Sequence, residues 1–592
     1  VVGEDYGEGA SVIQERTHAF AMKSGMWLLD PRPNLPSIVR MVEHGFELSE
    51  ASSTPVIMEL RIRACHVRGS FVAKDNVRPR ISTRALQMEP AAFDYGHLAH
   101  PPVTFQHEKL KYEVRMPAAR KYIVDAQLNE LFEGERGELG IIVQGGLYNN
   151  LIRALQTLDL ADAWGRTRIP ILNLNVVYPL VPEQITGFCA GKRAVLVVEE
   201  GQPDFIEQEL NTILRRADLQ TPLHGKDLLA MSGEYTVELI LAGLARYLAG
   251  HAPDLPRQAA DGLLADITDL RRQAAEAFHG SVPPRPPNFC TGCPERPVFA
   301  AMKLVEQDLG RLHVSADIGC HAFGTFAPFS FGNSILGYGM SLASSAGVRN
   351  FSAKRPIAIM GDGGFWHNGL LSGVSSALLN RGDGVLVIMK NGYTSATGTQ
   401  EVISTPTSES RRVAEGTSAT GSEITIESTL KGMGVKWLRT VNNYKVAEVR
   451  RTLEEALTTS FEGLKVIIAD GECQLERQRR IKPLRAKMLK EGRRVVRTRF
   501  GVDEDTCTGD HSCIRLSGCP TLTVKTPTDP LKVDPVAHVT NDCVGCGLCG
   551  EVAHAAVLCP SFWRAEIISN PSRWDRFKAR LREAFIHALQ PA

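Results

Sequence analysis

The sequence is short of net charge. Lys plus Arg (67) and Asp plus Glu (66) cancel to a formal charge of +1 over 592 residues, which removes any global electrostatic case for binding nucleic acid or a membrane surface. No apolar run is long enough to cross a bilayer, and the first residues lack the basic, apolar and small-residue order of a secretory signal. No membrane span is expected, and the chain is placed in the cytoplasm. There is no internal repeat of solenoid period. Cysteine is sparse, 13 in all, yet seven of them fall between Cys507 and Cys559. In a reducing compartment such bunching favours metal or cluster ligation over disulfides. Cys65 and Cys189 have no partner pattern and are expected in the core. The remainder is ordinary: 43% hydrophobic and 22% charged residues exclude a disordered chain, a collagen-like repeat or a disulfide mini-scaffold. At about 150 residues per domain the length predicts three to five folding units.

Five short Val/Ile-rich runs end in Gly, Asp or Asn: E-L-G-I-I-V-Q-G-G, R-A-V-L-V-V-E-E-G, R-P-I-A-I-M-G-D-G-G, G-V-L-V-I-M-K-N-G and L-K-V-I-I-A-D-G. Continuous apolar strands are buried on both faces, so parallel α/β layers are expected, with ligands where the strands end. Seams are expected at S-V-P-P-R-P-P-N, from Ser281 to Asn288, and more weakly around Pro79 to Tyr95. Between Arg477 and Arg499 the chain is strongly basic and helix-forming, with Pro483 as a break. It reads as a solvated connector helix, or else as a docking strip for an acidic partner.

The segment from Pro356 is a buried strand followed by Gly361, Asp362, Gly363 and Gly364, then a helix expected from near Asn368. Glycines let the backbone approach an anion, and a helix start offers free N–H groups to phosphate oxygens. Asp362 adds a hard oxygen ligand for Mg²⁺. A second strand ends at Asn391 and continues G-Y-T-S-A-T-G, which brings Tyr393 and Thr394 to the same place. G-D-G alone is usually just a turn. A strand-end Asp and a strand-end Asn about thirty residues apart together form a thiamine-diphosphate fingerprint.

Near the end of the chain, Cys543, Cys546 and Cys549 have the C-x₂-C-x₂-C spacing of a cubane site, with Cys519, followed by Pro520, as fourth ligand. This is a complete [4Fe–4S] set. In the companion set Cys507 and Cys513 keep their places, Asp510 stands where the middle cysteine would be, and Cys559, followed by Pro560, returns to it. An oxygen donor is harder than a thiolate. The second set therefore holds a [4Fe–4S] cluster with Asp510 as ligand, holds a [3Fe–4S] cluster, or stays empty. His511 is an alternative ligand, against a plain reading as a surface histidine.

The stretches F-C-T-G-C-P-E-R-P-V-F, S-A-D-I-G-C-H-A-F-G, G-D-G-G-F-W-H-N-G, K-N-G-Y-T-S-A-T-G-T-Q and V-L-V-V-E-E-G-Q-P-D resemble, in that family's motifs, the α subunits of indolepyruvate:ferredoxin oxidoreductases, in the 2-oxoacid:ferredoxin oxidoreductase superfamily. The resemblance covers nearly the whole chain. It implies an α/β fold of thiamine-diphosphate-binding, Rossmann-like domains, a transketolase-C-like domain and a C-terminal two-cluster ferredoxin-like domain. The implied layout is a remnant of a pyrimidine-binding domain over 1–80, a linker over 81–135, the transketolase-C-like domain over 136–250 and a helical, proline-rich linker over 251–287. The diphosphate-binding domain follows over 288–475, then a basic connector over 476–500, the ferredoxin-like 4Fe–4S domain over 501–565 and a C-terminal helix or tail over 566–592.

The opening V-V-G-E-D-Y-G-E-G-A-S-V-I-Q-E-R resembles the middle of the pyrimidine-binding domain. The Glu that activates the aminopyrimidine in the family has no counterpart, so it is expected on another chain or in a missing upstream piece, and this polypeptide alone is expected to be inactive. The resemblance also orders a third cysteine set, Cys290, Cys293, Cys320 and Cys473, as ligands of a cluster beside the thiamine. A zinc pair, a reduced pair or buried thiols remain the alternatives.

His321 and His367 are candidates for catalysis in the substrate pocket, against a reading as structural histidines. Phe365 and Trp366 either line an arylpyruvate site or pack in the core. The implied reaction is oxidative decarboxylation of an aryl 2-oxoacid with coenzyme A to an acyl-CoA and CO₂, with electrons leaving through the clusters to ferredoxin or another acceptor. A heterotetramer with a smaller catalytic partner subunit, of β or γ type, is implied as well. Two rivals stand: a non-oxidative thiamine-dependent decarboxylase, and an electron-transfer subunit with an inactive thiamine domain.

Overall fold

The computed structural model describes residues 1–4, 16–76, 94–255, 258–278, 288–406 and 424–589. The Gly-rich opening at 5–15 and most of both expected seams, at 77–93 and 279–287, lie outside the described residues. The chain divides into two units, Val1–Pro283 and Pro284–Ala592. Among the described residues no helix is long and apolar enough to cross a membrane.

The first unit carries two sheets. In one, Val2–Glu4, Val56–Arg61 and Trp27–Leu29 run parallel, and Val176–Tyr178 closes the row antiparallel. In the other, Glu130–Phe132, Ile171–Leu174, Leu139–Gln144, Ala194–Val198 and Leu223–His224 lie side by side, parallel except for the first. Leu139–Gln144 and Ala194–Val198 are buried at every position, as uninterrupted apolar strands require. Leu35–Ser52 forms a helix capped by the Asn34 side chain, which accepts from the Ser37 N–H at 2.9 Å.

The stretch expected to be a linker over 81–135 is not one where it is described. Met116–Asp125 is a helix whose Met116, Ala119 and Ile123 join the core beside Met41 and Leu48, and Glu130–Phe132 is a strand of the second sheet. Helical spacing of those apolar positions was enough to bury one face, and burial outweighs the polar appearance of the rest. Cys189 is buried as expected, but Cys65 is exposed, because the chain has left its strand for the short turn Ile62–Cys65.

The E-E of V-L-V-V-E-E has a structural use. Glu199 pairs with Arg16 at 2.5 Å and Glu200 pairs with Arg61, which also meets Asp30 at 3.0 Å. All five side chains are buried. Removing the shared cation would strand carboxylates in a dry interior, which costs about 3–5 kcal/mol. Arg61→Ala is therefore expected to lower the stability of the first unit by that order in denaturant unfolding, and a loss below about 1 kcal/mol would show that the knot is not buried in solution.

The second unit is built on a six-stranded, fully parallel sheet in the order Ser334–Ile335, Val314–Ala316, Ile357–Gly361, Val385–Lys390, Lys465–Asp470, Trp437–Asn442. A parallel ladder needs crossovers, here including the helices Ser341–Arg349 and Val446–Thr458, while the helix Arg296–Leu309 leads into Val314–Ala316. The helix expected from Asn368 begins at Asp362: it is α-helical over Asp362–Gly364, π-helical over Phe365–Val374 and α-helical again over Ser375–Leu379. Glycine's poor helix propensity is outweighed because a Cβ at Gly363 would stand 2.2 Å from the Tyr338 hydroxyl and one at Gly364 2.2 Å from Asp317.

Pro483 does not break the basic segment. Gln474–Lys490 is one helix, and Pro483 is exposed, where water can replace the donor its ring removes. Several of the cations serve the chain itself: Arg477 and Arg480 pair with Glu472, and Arg494 pairs with Asp575. The segment's end, Val495–Val502, is a strand paired antiparallel with Phe562–Ser569. Between them lie the hairpin Leu522–Lys525 with Val536–Val539 and the short helices Ser512–Ser517 and Leu548–Val557. Leu548 and Val552 share a core with Val298 and Phe299 of the helix Arg296–Leu309.

Candidate functional site

The strand Ile357–Gly361 delivers Asp362 into the interior with no exposed surface. Its Oδ2 accepts the N–H groups of Asn391 at 3.1 Å and Gly392 at 2.6 Å, and its Oδ1 accepts that of Gly363 at 3.0 Å. Burial pushes the carboxyl up to about 7, against the pull of those three donors. No cationic side chain is paired with it among the described residues, so the site lacks a positive charge that a metal ion would supply.

Asn391 arrives on the neighbouring strand, whose Met389 is paired with Gly361. Strand alternation sends Lys390 the other way, to Asp470 and Glu427. The Asn391 amide is oriented by its partners: Nδ2 donates to Glu295 Oε1 at 3.1 Å, and Oδ1 accepts from Ser395 Oγ at 2.8 Å and Tyr393 N at 3.1 Å.

A cavity of about 230 Å³ opens over these groups, and Gly361, Asp362, Gly363, Gly364, Asn391, Tyr393, Thr394 and His321 all line it. At Gly363 and Gly364 the packing leaves no room for a Cβ. His367 is not among the lining residues. It is exposed, its ring 5.2 Å from that of Tyr338, which does line the cavity. Phe365 is wholly buried in the core, and Trp366 donates to Ser404 Oγ at 2.8 Å.

His321 is buried, with Nε2 against Asp317, and its side chain lines the cavity. Burial alone would lower its pKa, but the Asp317 carboxylate beside it overrides that and holds it up at about 9. The imidazole is a cation at neutral pH. Asp317 and Glu295 went unnoticed in the sequence. The i, i+4 spacing of D-I-G-C-H was the available signal for Asp317, whereas nothing local marks Glu295, whose contact with Asn391 spans 96 residues.

Cys290, Cys293, Cys320 and Cys473 line one further cavity, of about 40 Å³. Burial raises the thiols of Cys290, Cys293 and Cys320. Glu295, Cys320, Asn391 and Ser395 line both this cavity and the Asp362 cavity, so the two share a wall. Cys519, Cys543, Cys546 and Cys549 line a third, of about 10 Å³. Its loop is tied down by Arg499, which donates to the Asn541 and Cys543 carbonyls at 2.7 and 2.6 Å.

Cys507, Cys513 and Cys559 pack in one apolar cluster. Burial, then the neighbouring Cys559, Cys507 and Asp510, push Cys513 up to about 11. Asp510 accepts from the Ser512 hydroxyl, and His511 Nε2 lies 2.8 Å from the Pro535 carbonyl, as a structural histidine would. Among the described residues no three His, Cys, Asp or Glu are grouped to hold a single metal ion. That does not conflict with cubane sites, whose four thiolates each take a different iron. If Asp510 is a ligand, Asp510→Cys is expected to change the low-temperature spin-resonance spectrum and raise iron retention. Identical spectra and iron counts would remove Asp510 from the site.

Residues 317–469 match the profile of the thiamine pyrophosphate enzyme C-terminal TPP binding domain, and residues 129–226 that of the indolepyruvate ferredoxin oxidoreductase middle domain. The indolepyruvate oxidoreductase subunit IorA of Methanothermobacter thermautotrophicus is 28% identical over 553 residues, spanning 92% of this chain and 79% of its own. The chain is a relative of the IorA subunits. On that similarity it is an oxidoreductase. IorA of Thermococcus kodakarensis is 27% identical over 576 residues, 93% of this chain and 80% of that one. A solved 2-oxoglutarate:ferredoxin oxidoreductase from Magnetococcus marinus matches 33% of this chain and 66% of its own at 16% identity and a TM-score of 0.28, too slight a likeness to argue from. In this IorA relative the thiamine pyrophosphate profile spans Asp362, Asn391, His321 and Cys320, the residues that meet around the shared wall.

Proposed function

We propose that the chain is the thiamine-diphosphate-carrying and electron-transferring subunit of a 2-oxoacid:ferredoxin oxidoreductase that acts on an indolepyruvate-like aryl 2-oxoacid with coenzyme A. One observation carries this reading: the cavity over Asp362 and the cavity of four cysteines share a wall. A decarboxylase has no use for the second cavity, and a bare electron carrier has none for the first.

The residues fit the groups implied. Asp362 and the Asn391 side-chain oxygen would hold Mg²⁺, a hard cation for oxygen donors, and Gly361, Gly363 and Gly364 line the cavity that a diphosphate would enter. Cys290, Cys293, Cys320 and Cys473 would hold one [4Fe–4S] cluster, Cys519, Cys543, Cys546 and Cys549 a second, and Cys507, Cys513 and Cys559 with Asp510 a third site. When bound, thiamine diphosphate supplies the nucleophile and electron sink that loss of CO₂ from a 2-oxoacid requires.

This chain's residues do the rest. Asp362 is held in place by three backbone donors, and Glu295 fixes which end of the Asn391 amide faces the cavity. His321, kept protonated by Asp317, offers a positive charge to an anionic substrate group or to a developing negative charge. Tyr393 and Thr394 shape the wall beside it. The aryl preference follows the relatives' name and ferredoxin that of the middle-domain profile, whereas coenzyme A and the smaller partner subunit follow the sequence resemblance; all belong to the proposal.

Product analysis tests it. The complex with its partner subunit, given indolepyruvate, coenzyme A and ferredoxin, is expected to yield acyl-CoA and reduced ferredoxin together. Release of an aldehyde with ferredoxin left oxidised would favour the non-oxidative decarboxylase instead.

A further inference from the structure

Arg296 opens the helix that follows C-T-G-C-P-E, and none of its surface is exposed. A buried guanidinium costs several kcal/mol unless it is paired. Among the described residues no carboxylate pairs with it. Its amino groups reach only two carbonyls, Cys290 O at 3.2 Å and Ser517 O at 3.4 Å, and its Nε is buried with no partner.

The ionisable side chains its charge reaches are cysteines of two different sets: Cys519, then Cys293, then Cys546. Its two carbonyl partners belong to the two cysteine loops: Cys290 is in one set, and Ser517 stands two residues before Cys519 of the other. A buried positive charge thus joins the Cys290 loop to the loop that leads to Cys519, within this one unit.

Resting on the proposed occupancy of those cavities by iron–sulfur clusters, we infer that Arg296 is a shared counter-ion that raises the reduction potential of both clusters, the Cys519 cluster most. A cation and an N–H donor beside a cluster thiolate favour the reduced, more negative state. A larger rise at the Cys519 cluster favours transfer outward from the thiamine side. Arg296 is a positioning residue for electrons, and it need not touch substrate.

The test is a redox titration of the whole chain with its partner subunit, followed by spin resonance beside iron and sulfide analysis. Arg296→Gln keeps donors for the two carbonyls but removes the charge, and Arg296→Lys keeps the charge but not the fork. The expected result is a fall in the midpoint potential of the Cys519 cluster in the Gln variant, recovery toward wild type in the Lys variant, and no change at the Cys507–Cys513–Cys559 site. A Gln variant that loses the cluster, beside a Lys variant that keeps it at the wild-type potential, also supports the counter-ion.

A Gln variant with full iron content and unshifted potentials overturns the inference while leaving the functional reading intact. So does loss of the cluster in both variants of a folded protein, which would make the fork's shape decisive. Wild-type protein without iron at these cysteines overturns the functional reading and this inference with it.

Discussion

Asp362→Asn is expected to abolish binding of thiamine diphosphate and Mg²⁺ while leaving folding and iron content at wild-type levels. Asn is the informative substitution. Ala would orphan the N–H groups of Gly363, Asn391 and Gly392, each bonded to the carboxylate, at about 1–3 kcal/mol apiece, and a misfolded loop would mimic a lost ligand. Asn keeps an oxygen for the Asn391 and Gly392 donors and removes the charge, leaving only the Gly363 N–H without its acceptor. A buried carboxyl pushed up to about 7 by its surroundings gains nothing from the fold by being ionised. Its place at a strand end is explained by the cation it would face. Loss of that cation should lower turnover by about 10³-fold or more, the scale of removing a main electrostatic contact from a reacting centre. Titration calorimetry with thiamine diphosphate and Mg²⁺, beside thermal melting and iron analysis, separates the outcomes. Unchanged affinity in a folded Asn variant would mean that Asp362 is only a turn residue.

Cys290→Ser is expected to remove one cluster's worth of iron and most acceptor-linked turnover, while thiamine diphosphate still binds. Of the four cysteines lining that cavity, Cys290 is the exposed one, so the change costs little stability. Ser cannot replace a thiolate toward iron. The Cys519 set lines a different cavity and should keep its iron, which gives an internal control in the same sample. Iron content equal to wild type would show that the cavity beside Asp362 holds no cluster, and would return those cysteines to buried thiols or a zinc pair.

The parts of this architecture that were legible share a cause. Strands buried on both faces must be apolar without interruption, so I-A-I-M-G, V-L-V-I-M-K and K-V-I-I-A-D declared both their type and their parallel sheet. Asp362 and Asn391 were expected together because ligands collect where such strands end, and they do line one cavity; the C-terminal cysteine spacing likewise anticipated that Cys519, Cys543, Cys546 and Cys549 line one cavity.

What was hidden depended on contacts across the chain. Glu295 matters through Asn391 and the wall between two cavities, neither of which leaves a local pattern. Arg296 reads as one more basic residue until burial and its cysteine neighbours are known. The helix start at Asp362 was masked by two glycines that are unfavourable locally and required by packing against Tyr338 and Asp317. Val495–Val502 was masked by its arginines, which an antiparallel partner about sixty residues away turns outward.

The central claim is that electrons pass from a substrate held over Asp362 into the adjoining cysteine-lined cavity. Anaerobic visible absorbance of the complex with its partner subunit tests it most directly, in a sample shown to contain thiamine diphosphate and iron. Cluster bleaching that requires both indolepyruvate and coenzyme A is the predicted result. Absorbance that stays unchanged after both additions, while dithionite still bleaches the same sample, would contradict it.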